Sequence, residues 1–332
     1  MADRLRDHGV RIGDLEPGAR NAVTDVPGVS VGHVTVWRDE PTVARTGVTA
    51  VVPSSLPARA GTAVLNGAGE LTGFVQISEL GVLETPVYLT STMAVGRIFD
   101  GAVSAAIAAN PAVGVDDVVI PTVGECDDSW LSDARVVQVE AEDAGRAVAK
   151  ASAEVEEGAV GAGTGMVCFG QKGGIGTSSR VVPELGTVGV LVLANFGAAR
   201  ELRVDGIPVG RLLALTDPQP EPGGSCIAVI ATDAPLGKAQ LERVARRAGL
   251  GLARTGSTGH HGSGEIFLAF STASGDVPDS ALDPIFQATV DATEEAVLNA
   301  LWAATDVTGR GGRTVAALPH EPVLELLAQR GR

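Results

Sequence analysis

TDPQPEPGGSCIAVIATDAPL, residues 216–236, changes character in its middle. Pro218, Pro220 and Pro222 alternate, which fixes φ and removes backbone donors. Gly223 and Gly224 follow, so the first half predicts an extended, solvated linker ending in a turn. From Cys226 the run CIAVIAT is continuously apolar, the pattern of a strand buried on both faces. Ser225 therefore stands at the junction of a linker and a core strand. Composition alone makes this an ordinary surface connection; the chemistry open to a serine at that junction gives it a second reading.

Similar β-rich runs recur at VTAVVPS (48–54), GTAVLN (61–66), PVYLTS (86–91), DVVIPTV (117–123), TVGVLVLA (187–194) and EIFLAFST (265–272). Helical periodicity lies between them. Val95, Ile98, Phe99, Ala102, Val103, Ala106 and Ile107 share a face that stops near Asn110-Pro111. Ala144, Val148, Ala151 and Val155 predict a helix over Glu140 to Glu157, with Gly158 as its stop. Leu241, Val244, Ala245 and Ala248 form a third stripe, and Arg246 and Arg247 suit its C-terminal dipole. Asp283 as N-cap and Pro284 at the first helical position open a fourth helix through Val290, Val297 and Leu301.

The 332 residues are 45% hydrophobic, enough to bury one large core, and 43 glycines with only 3% aromatics suit layered α/β packing through small side chains. A net charge of -15 repels phosphate backbones and anionic lipid, so neither nucleic acid nor membrane is expected as a partner. The N-terminal segment lacks an apolar signal core, and the longest apolar run, near Val188 to Ala199, falls short of a bilayer span. A cytoplasmic location is expected. Cys126, Cys168 and Cys226 cannot all pair, match no zinc spacing, and read as reduced thiols, with Cys226 in the core.

Serine needs a base to become nucleophilic, commonly a histidine held by a carboxylate. Five histidines are present, at 8, 33, 260, 261 and 320, but no G-x-S-x-G elbow accompanies them. The other available base is an α-amine, whose ordinary pKa of about 7.7 to 8.0 leaves a neutral fraction near physiological pH. A serine at a free N-terminus carries that base itself. To expose it, the Ser225 hydroxyl would attack the Gly224 carbonyl, and water would hydrolyse the resulting ester. Glycine at 224 suits this by its conformational freedom and unhindered carbonyl.

GSCIAVIATDAPL, QLERVARRAGLGLARTG and HGSGEIFLAFST together resemble the self-processing region of the L-aminopeptidase/D-alanine esterase family, which includes the β-peptidyl aminopeptidases. NAVTDVPGVSVGH, VLNGAGELTGF, LETPVYLTSTMAVGR, GAGTGMVCFGQKGGIGTSSRVV, VLVLANFG and DATEEAVLNALWAA extend the likeness in order over most of the chain. The resemblance implies a four-layer αββα sandwich, similar to the N-terminal nucleophile hydrolases with different connectivity. It implies autocleavage into fragments 1–224 and 225–332, and an N-terminal serine aminopeptidase acting on small peptides, amides or esters with a free amino terminus, D-alanine or β-amino acid derivatives among them. It also implies a homo-oligomer, a tetramer or larger.

By the same likeness Ser225 is the nucleophile, Asn195 an oxyanion donor, and Ser263 and Glu265 the groups that orient the serine's hydroxyl and amine. Glu125 faces the substrate ammonium, with Asp127, Asp128 and Asp133 as rival anions in its loop. Trp130 stands where some members place a tyrosine donor, which leaves the second oxyanion donor to a backbone amide. Read without the resemblance, Asn195 closes a strand, Ser263 is a turn residue and Glu265 a solvated strand start. KGGIGTSS lacks the order of a phosphate loop, and His260-His261 lacks metal spacing, so no cofactor and no metal is expected. Two alternatives remain: an acyltransferase of the ornithine acetyltransferase type on the same architecture, and an uncut, non-enzymatic small-molecule binder.

Overall fold

The computed structural model describes residues 3–218 and 224–329, so Gln219 to Gly223 of the expected linker lies outside the described residues. The first half contains β1 (Val29–Arg38), β2 (Ala44–Pro53), β3 (Ala58–Gly67), α1 (Phe74–Leu80), β4 (Val82–Leu83), β5 (Val87–Ser91), α2 (Val95–Ala109), β6 (Thr122–Cys126) and α3 (Glu142–Ala149). A short hairpin, β7 (Val167–Cys168) and β8 (Gln171–Lys172), leads to β9 (Gly174–Val182), β10 (Gly186–Asn195) and α4 (Val209–Leu212). Then come β11 (Gly224–Thr232), α5 (Lys238–Arg254), β12 (Ser263–Ser271) and α6 (Leu282–Trp302). The hairpin β13 (Val307–Thr308) and β14 (Thr314–Val315) precedes the last helix, α7 (His320–Gln329).

Two sheets form, ordered β1-β2-β5-β6 and β4-β3-β12-β11-β10-β9. Three apolar cores separate four layers. Ile98 and Ala102 of α2 and Ala144 and Ala147 of α3 pack on Val48, Ala50 and Tyr88 of the first sheet. Val51, Leu89 and Cys126 of that sheet meet Leu191, Leu193, Ile227 and Val229 of the second. Beyond it, Cys226, Ala228 and Ile230 pack with Leu241, Val244 and Val297 of α5 and α6. The αββα sandwich expected from the sequence is therefore present. The run CIAVIAT is apolar throughout because its alternate residues serve two different cores.

Some elements differ from expectation. DVVIPTV does not form a buried strand: Val118 is 72% exposed and β6 starts only at Thr122, after Pro121, which lacks a ladder donor. The helix foreseen over Glu140 to Glu157 ends at Ala149, because Ser152 exchanges backbone hydrogen bonds with Val31. Arg246 and Arg247 sit within α5 and Arg254 occupies its last turn. The N-cap of α6 is Ala281, so Asp283 lies inside the first turn.

Helix α6 is buried almost all round, its polar groups spent on anchoring. Asn299 Nδ2 donates to Thr177 O of β9 at 2.8 Å. Glu295 accepts from Arg6 Nε at 2.9 Å, Asn21 Nδ2 at 2.6 Å and the fully buried Arg180. Burial pushes the Glu295 carboxyl up, but the Arg6 hydrogen bond and the charges of Arg180 and Arg6 outweigh it, leaving the pKa below its ordinary value. A carboxylate so depressed stabilises the fold above its unfolded pKa, and that contribution is lost as pH falls through the folded value. Glu295→Ala, which strands Arg180, is expected to cost about 3 to 5 kcal/mol in urea unfolding. An unchanged unfolding midpoint would show that the network contributes nothing.

Candidate active site

Strands β10 and β11 are antiparallel with Asn195 opposite Ser225. Opposite residues in such a pair project from the same face. Here it is the face that carries Leu193 and Ile227 into the core between the sheets. At the strand ends that core opens into a cavity of about 890 Å³, and both Ser225 and Asn195 line it. The first sheet supplies Glu125, from β6, to the same cavity.

The segment between β3 and α1 passes through the gap, Leu71 bridging to Gly124 and Thr72 N donating to Val123 O at 2.9 Å. This leaves Gly69 beside both side chains: a Cβ there would lie 3.0 Å from Glu125 Oε1 and 3.7 Å from Ser225 Oγ. A side chain at 69 would therefore fill the space between carboxylate and hydroxyl.

Gly224 is required for a different reason than conformational freedom. It does not occupy the left-handed region; instead a Cβ would come within 1.8 Å of the Asn195 carbonyl oxygen. The strand carrying Asn195 packs directly on the residue before Ser225. Only hydrogen fits there.

The Asn195 amide is fixed from both ends. Its Oδ1 accepts from Val167 N at 2.7 Å and its Nδ2 donates to Asp127 O at 3.0 Å, which settles which atom is nitrogen. One amide hydrogen is left for another acceptor. The turn presenting Val167 is tied by the fully buried Lys172, whose Nζ donates to the carbonyls of Gly163, Met166 and Gly173 at 3.0, 2.7 and 2.7 Å. Burial pulls the Lys172 pKa down to about 7.

Glu125 is nearly buried. Its Oε1 accepts from Glu70 N at 2.9 Å and its Oε2 from Thr92 Oγ1. Burial pushes its carboxyl above the ordinary range despite those two bonds. The structure also separates the rival anions. Asp127 lines the cavity and caps Ser129; Asp128 faces away and accepts from Ser91 Oγ at 2.9 Å, with burial pushing it to about 7. Asp133 pairs with Arg135 at 3.1 Å.

Trp130 lines the cavity as well, and its indole N–H is buried and finds no partner among the described residues. Its ring face carries the Arg313 guanidinium at 4.0 Å.

Ser263 and Glu265 do not line this cavity. Parallel pairing puts Ser263 opposite Gly224 and Glu265 opposite Cys226, on the α5 side of the sheet, so they flank the 224–225 junction from behind. Ser263 Oγ donates to Glu265 Oε1, burial pushes the Glu265 carboxyl up, and its Oε2 has no partner among the described residues. His260 pairs with Glu201 at 2.9 Å.

Sequence reading missed Gly69, Thr92 and the arginines 135, 310 and 313, all of which line the cavity. Gly69 lay inside a quoted motif. The arginines stand in charged loops with no spacing rule to mark them.

A model of peptidase family S58 matches residues 21–315. The chain is 42% identical over 372 residues to a β-peptidyl aminopeptidase of Sphingosinicella microcystinivorans, covering 98% of this chain and 91% of that relative. A solved β-aminopeptidase of Burkholderia sp. has a TM-score of 0.93 at 40% identity, with 99% of each chain covered. The L-aminopeptidase D-Ala-esterase/amidase of Ochrobactrum anthropi, a serine aminopeptidase with a variant of the Ntn hydrolase fold, has a TM-score of 0.93 at 38% identity, again with 99% of each chain covered.

Gly224→Ala is expected to force β10 and β11 apart at their ends and lower stability by about 1 to 3 kcal/mol. Amide exchange at Asn195 and Ser225 should quicken more than at Val190 and Ile230, deep in the same pair. Equal stability and equal exchange would mean that the Asn195 carbonyl does not confine position 224.

Proposed function

The chain belongs to peptidase family S58 and is an aminopeptidase with amidase chemistry, and on that premise we propose that Ser225 is its nucleophile, released by cleavage of the chain's own Gly224–Ser225 bond. The observation that carries this reading is the register of β10 and β11. It puts a hydroxyl and a fixed amide donor side by side at the mouth of a cavity whose other sheet supplies a carboxylate.

In the uncut chain, Ser225 Oγ attacks the Gly224 carbonyl carbon. The C–N bond breaks as the ester forms, the hydroxyl proton passes to the departing amine, and water hydrolyses the ester to a Gly224 carboxylate and a free serine. Fragment 225–332 then starts with β11, which stays paired with β10 and β12, so the two pieces remain one folded unit.

The exposed α-amine becomes the general base. It accepts the hydroxyl proton as Oγ attacks the carbonyl after the substrate's first residue, and returns a proton to the leaving amine. Water, deprotonated by the same amine, then releases the acyl group. The remaining Asn195 amide hydrogen meets the oxyanion, a contact of the kind worth about 2.7 to 4 kcal/mol in a transition state. Ser263 and Glu265, flanking the junction, hold the new amine. Glu125 accepts the substrate ammonium, which makes the enzyme an aminopeptidase. Peptides, amides and esters of small D-, L- or β-amino acids fit this scheme. The relatives' names favour hydrolysis over acyl transfer.

Ser225→Ala is expected to give a single uncut chain by intact mass, with alanyl or β-alanyl amide hydrolysis lower by roughly 10³-fold or more. Cleavage at 224/225 in that variant would remove Ser225 from the nucleophile's place. A second expectation concerns pH. Burial raises the Glu125 pKa, so the group is neutral below that raised value and cannot hold an ammonium. KM should therefore fall as pH rises through it, while kcat rises as the Ser225 amine deprotonates near about 7.7 to 8.0. Glu125→Gln should raise KM and erase the lower limb. A variant with the parental KM profile would exclude Glu125 as the ammonium acceptor.

A further inference from the structure

We propose that the cavity has a second charged subsite, in which Arg310 and Arg313 hold the C-terminal carboxylate of a dipeptide or tripeptide whose ammonium lies at Glu125. The proposal rests on the aminopeptidase reading and adds the other end of the substrate.

Acidic residues outnumber Lys and Arg by 40 to 25 in this chain, yet three arginines line the cavity that contains Ser225. Against such a background a guanidinium commonly finds a carboxylate. Arg135 does so, at Asp133. Among the described residues Arg310 and Arg313 have no carboxylate within 4.0 Å.

Both are nevertheless held in place. The β13–β14 hairpin carries them and is closed by Gly309 N donating to Arg313 O at 2.9 Å. Arg310 N donates to Leu131 O at 2.7 Å, which ties the hairpin to the loop after β6. Arg313 Nη1 donates to Trp130 O at 3.2 Å while its plane lies over the Trp130 ring, and Arg310 Nη1 reaches Ser129 O at 3.4 Å. Each guanidinium thus spends one terminal nitrogen on a backbone carbonyl and keeps further N–H donors of its fork, the geometry that matches a planar carboxylate.

The cavity's charges therefore come from different elements: Glu70, Glu125 and Asp127 as acids, and Arg310 and Arg313 as bases with no carboxylate in direct contact, although Asp133 lies near enough to feel the Arg310 charge. A short zwitterionic peptide complements both sets at once. A volume of about 890 Å³ suits a ligand of that size. The net charge of -15 opposes a large polyanion as the alternative occupant.

The test uses the processed enzyme and two matched substrates, β-alanyl-leucine with a free carboxylate and its C-terminal amide. The wild type should hydrolyse the acid with kcat/KM about tenfold above the amide, the difference carried by KM. In Arg310→Gln and in Arg313→Gln the acid-to-amide ratio should shrink, and in the double variant it should approach one. Arg310→Gln leaves the Trp130 stack intact and so separates carboxylate binding from loop support. A wild-type ratio near one, or variants that slow both substrates with the ratio preserved, would overturn the subsite while leaving the aminopeptidase standing. Hydrolysis of neither substrate, nor of the L-alanyl, D-alanyl or β-alanyl p-nitroanilides, would overturn the catalytic reading and the subsite with it.

Discussion

The carbonyl of Asn195 lies against Gly224, and the side chain of the same asparagine shares a face with Ser225. Both facts come from one strand register. A slip of β11 by one residue against β10 would send Ser225 to the α5 side and leave Asn195 on the cavity side, because side chains alternate with a period of two. What prevents the slip is apolar burial. Along the pair, Leu191, Leu193, Ile227 and Val229 fill the core between the sheets, while Val190, Val192, Ala228 and Ile230 fill the core under the helices. A slipped β11 would exchange Ile227 and Val229 with Ala228 and Ile230 between those cores. The chemistry at the strand ends thus inherits its geometry from packing several residues away.

Around this register the chain buries groups that water would otherwise stabilise. Glu125 and Glu265 are pushed upward by burial, Asp128 to about 7, and Lys172 down to about 7. Each is a cost unless its position is needed. Lys172 collects three carbonyls, and the turn so closed presents the Val167 amide to Asn195. Asp128 accepts from Ser91, beside the Thr92 that meets Glu125. Perturbed groups near a cleft are a physical mark of function, and here they hold the site's parts from behind.

The layered fold was legible because its strands are apolar on both faces, a pattern that only a sheet between two cores produces. Composition alone read Ser225 as the end of an ordinary linker; the family resemblance is what singled it out. Asn195, Ser263 and Glu265 looked bland by themselves: each ends or begins a strand, and only pairing across three strands brings them to one junction. Local composition failed where tertiary contacts decide. Ala151 and Val155 continue a helical stripe, yet Ser152 is claimed by Val31 and the helix stops short. Gly224 was singled out for backbone freedom, whereas the constraint the structure shows is crowding from a carbonyl 29 positions earlier in the chain. Distance in sequence hides such a contact. The same distance hides Arg310 and Arg313, which become neighbours of Trp130 only when the last hairpin folds over the loop after β6.

The cavity is assembled from parts that the fold keeps separate. Ser225 and Asn195 stand on the second sheet, Glu125 on the first, and Arg310 and Arg313 on a hairpin outside both. Gly124 faces Ile227, a Cβ there lying 3.1 Å from Ile227 Cγ2, so the two sheets pack closely next to Glu125 and Ser225. Close packing at that point fixes the spacing between acid and hydroxyl. The hairpin is held apart from both sheets, by Val307 and Val315 packed on Leu131 and Val167, the Arg310 N bond to Leu131 O and the Arg313 guanidinium over Trp130. The proposed catalytic residues are therefore tied to the packing between the sheets, while the arginines proposed to choose among substrates sit on an element that belongs to neither sheet. Such a division lets one catalytic register serve different leaving groups, since altering the hairpin leaves the pairing of β10 with β11 untouched.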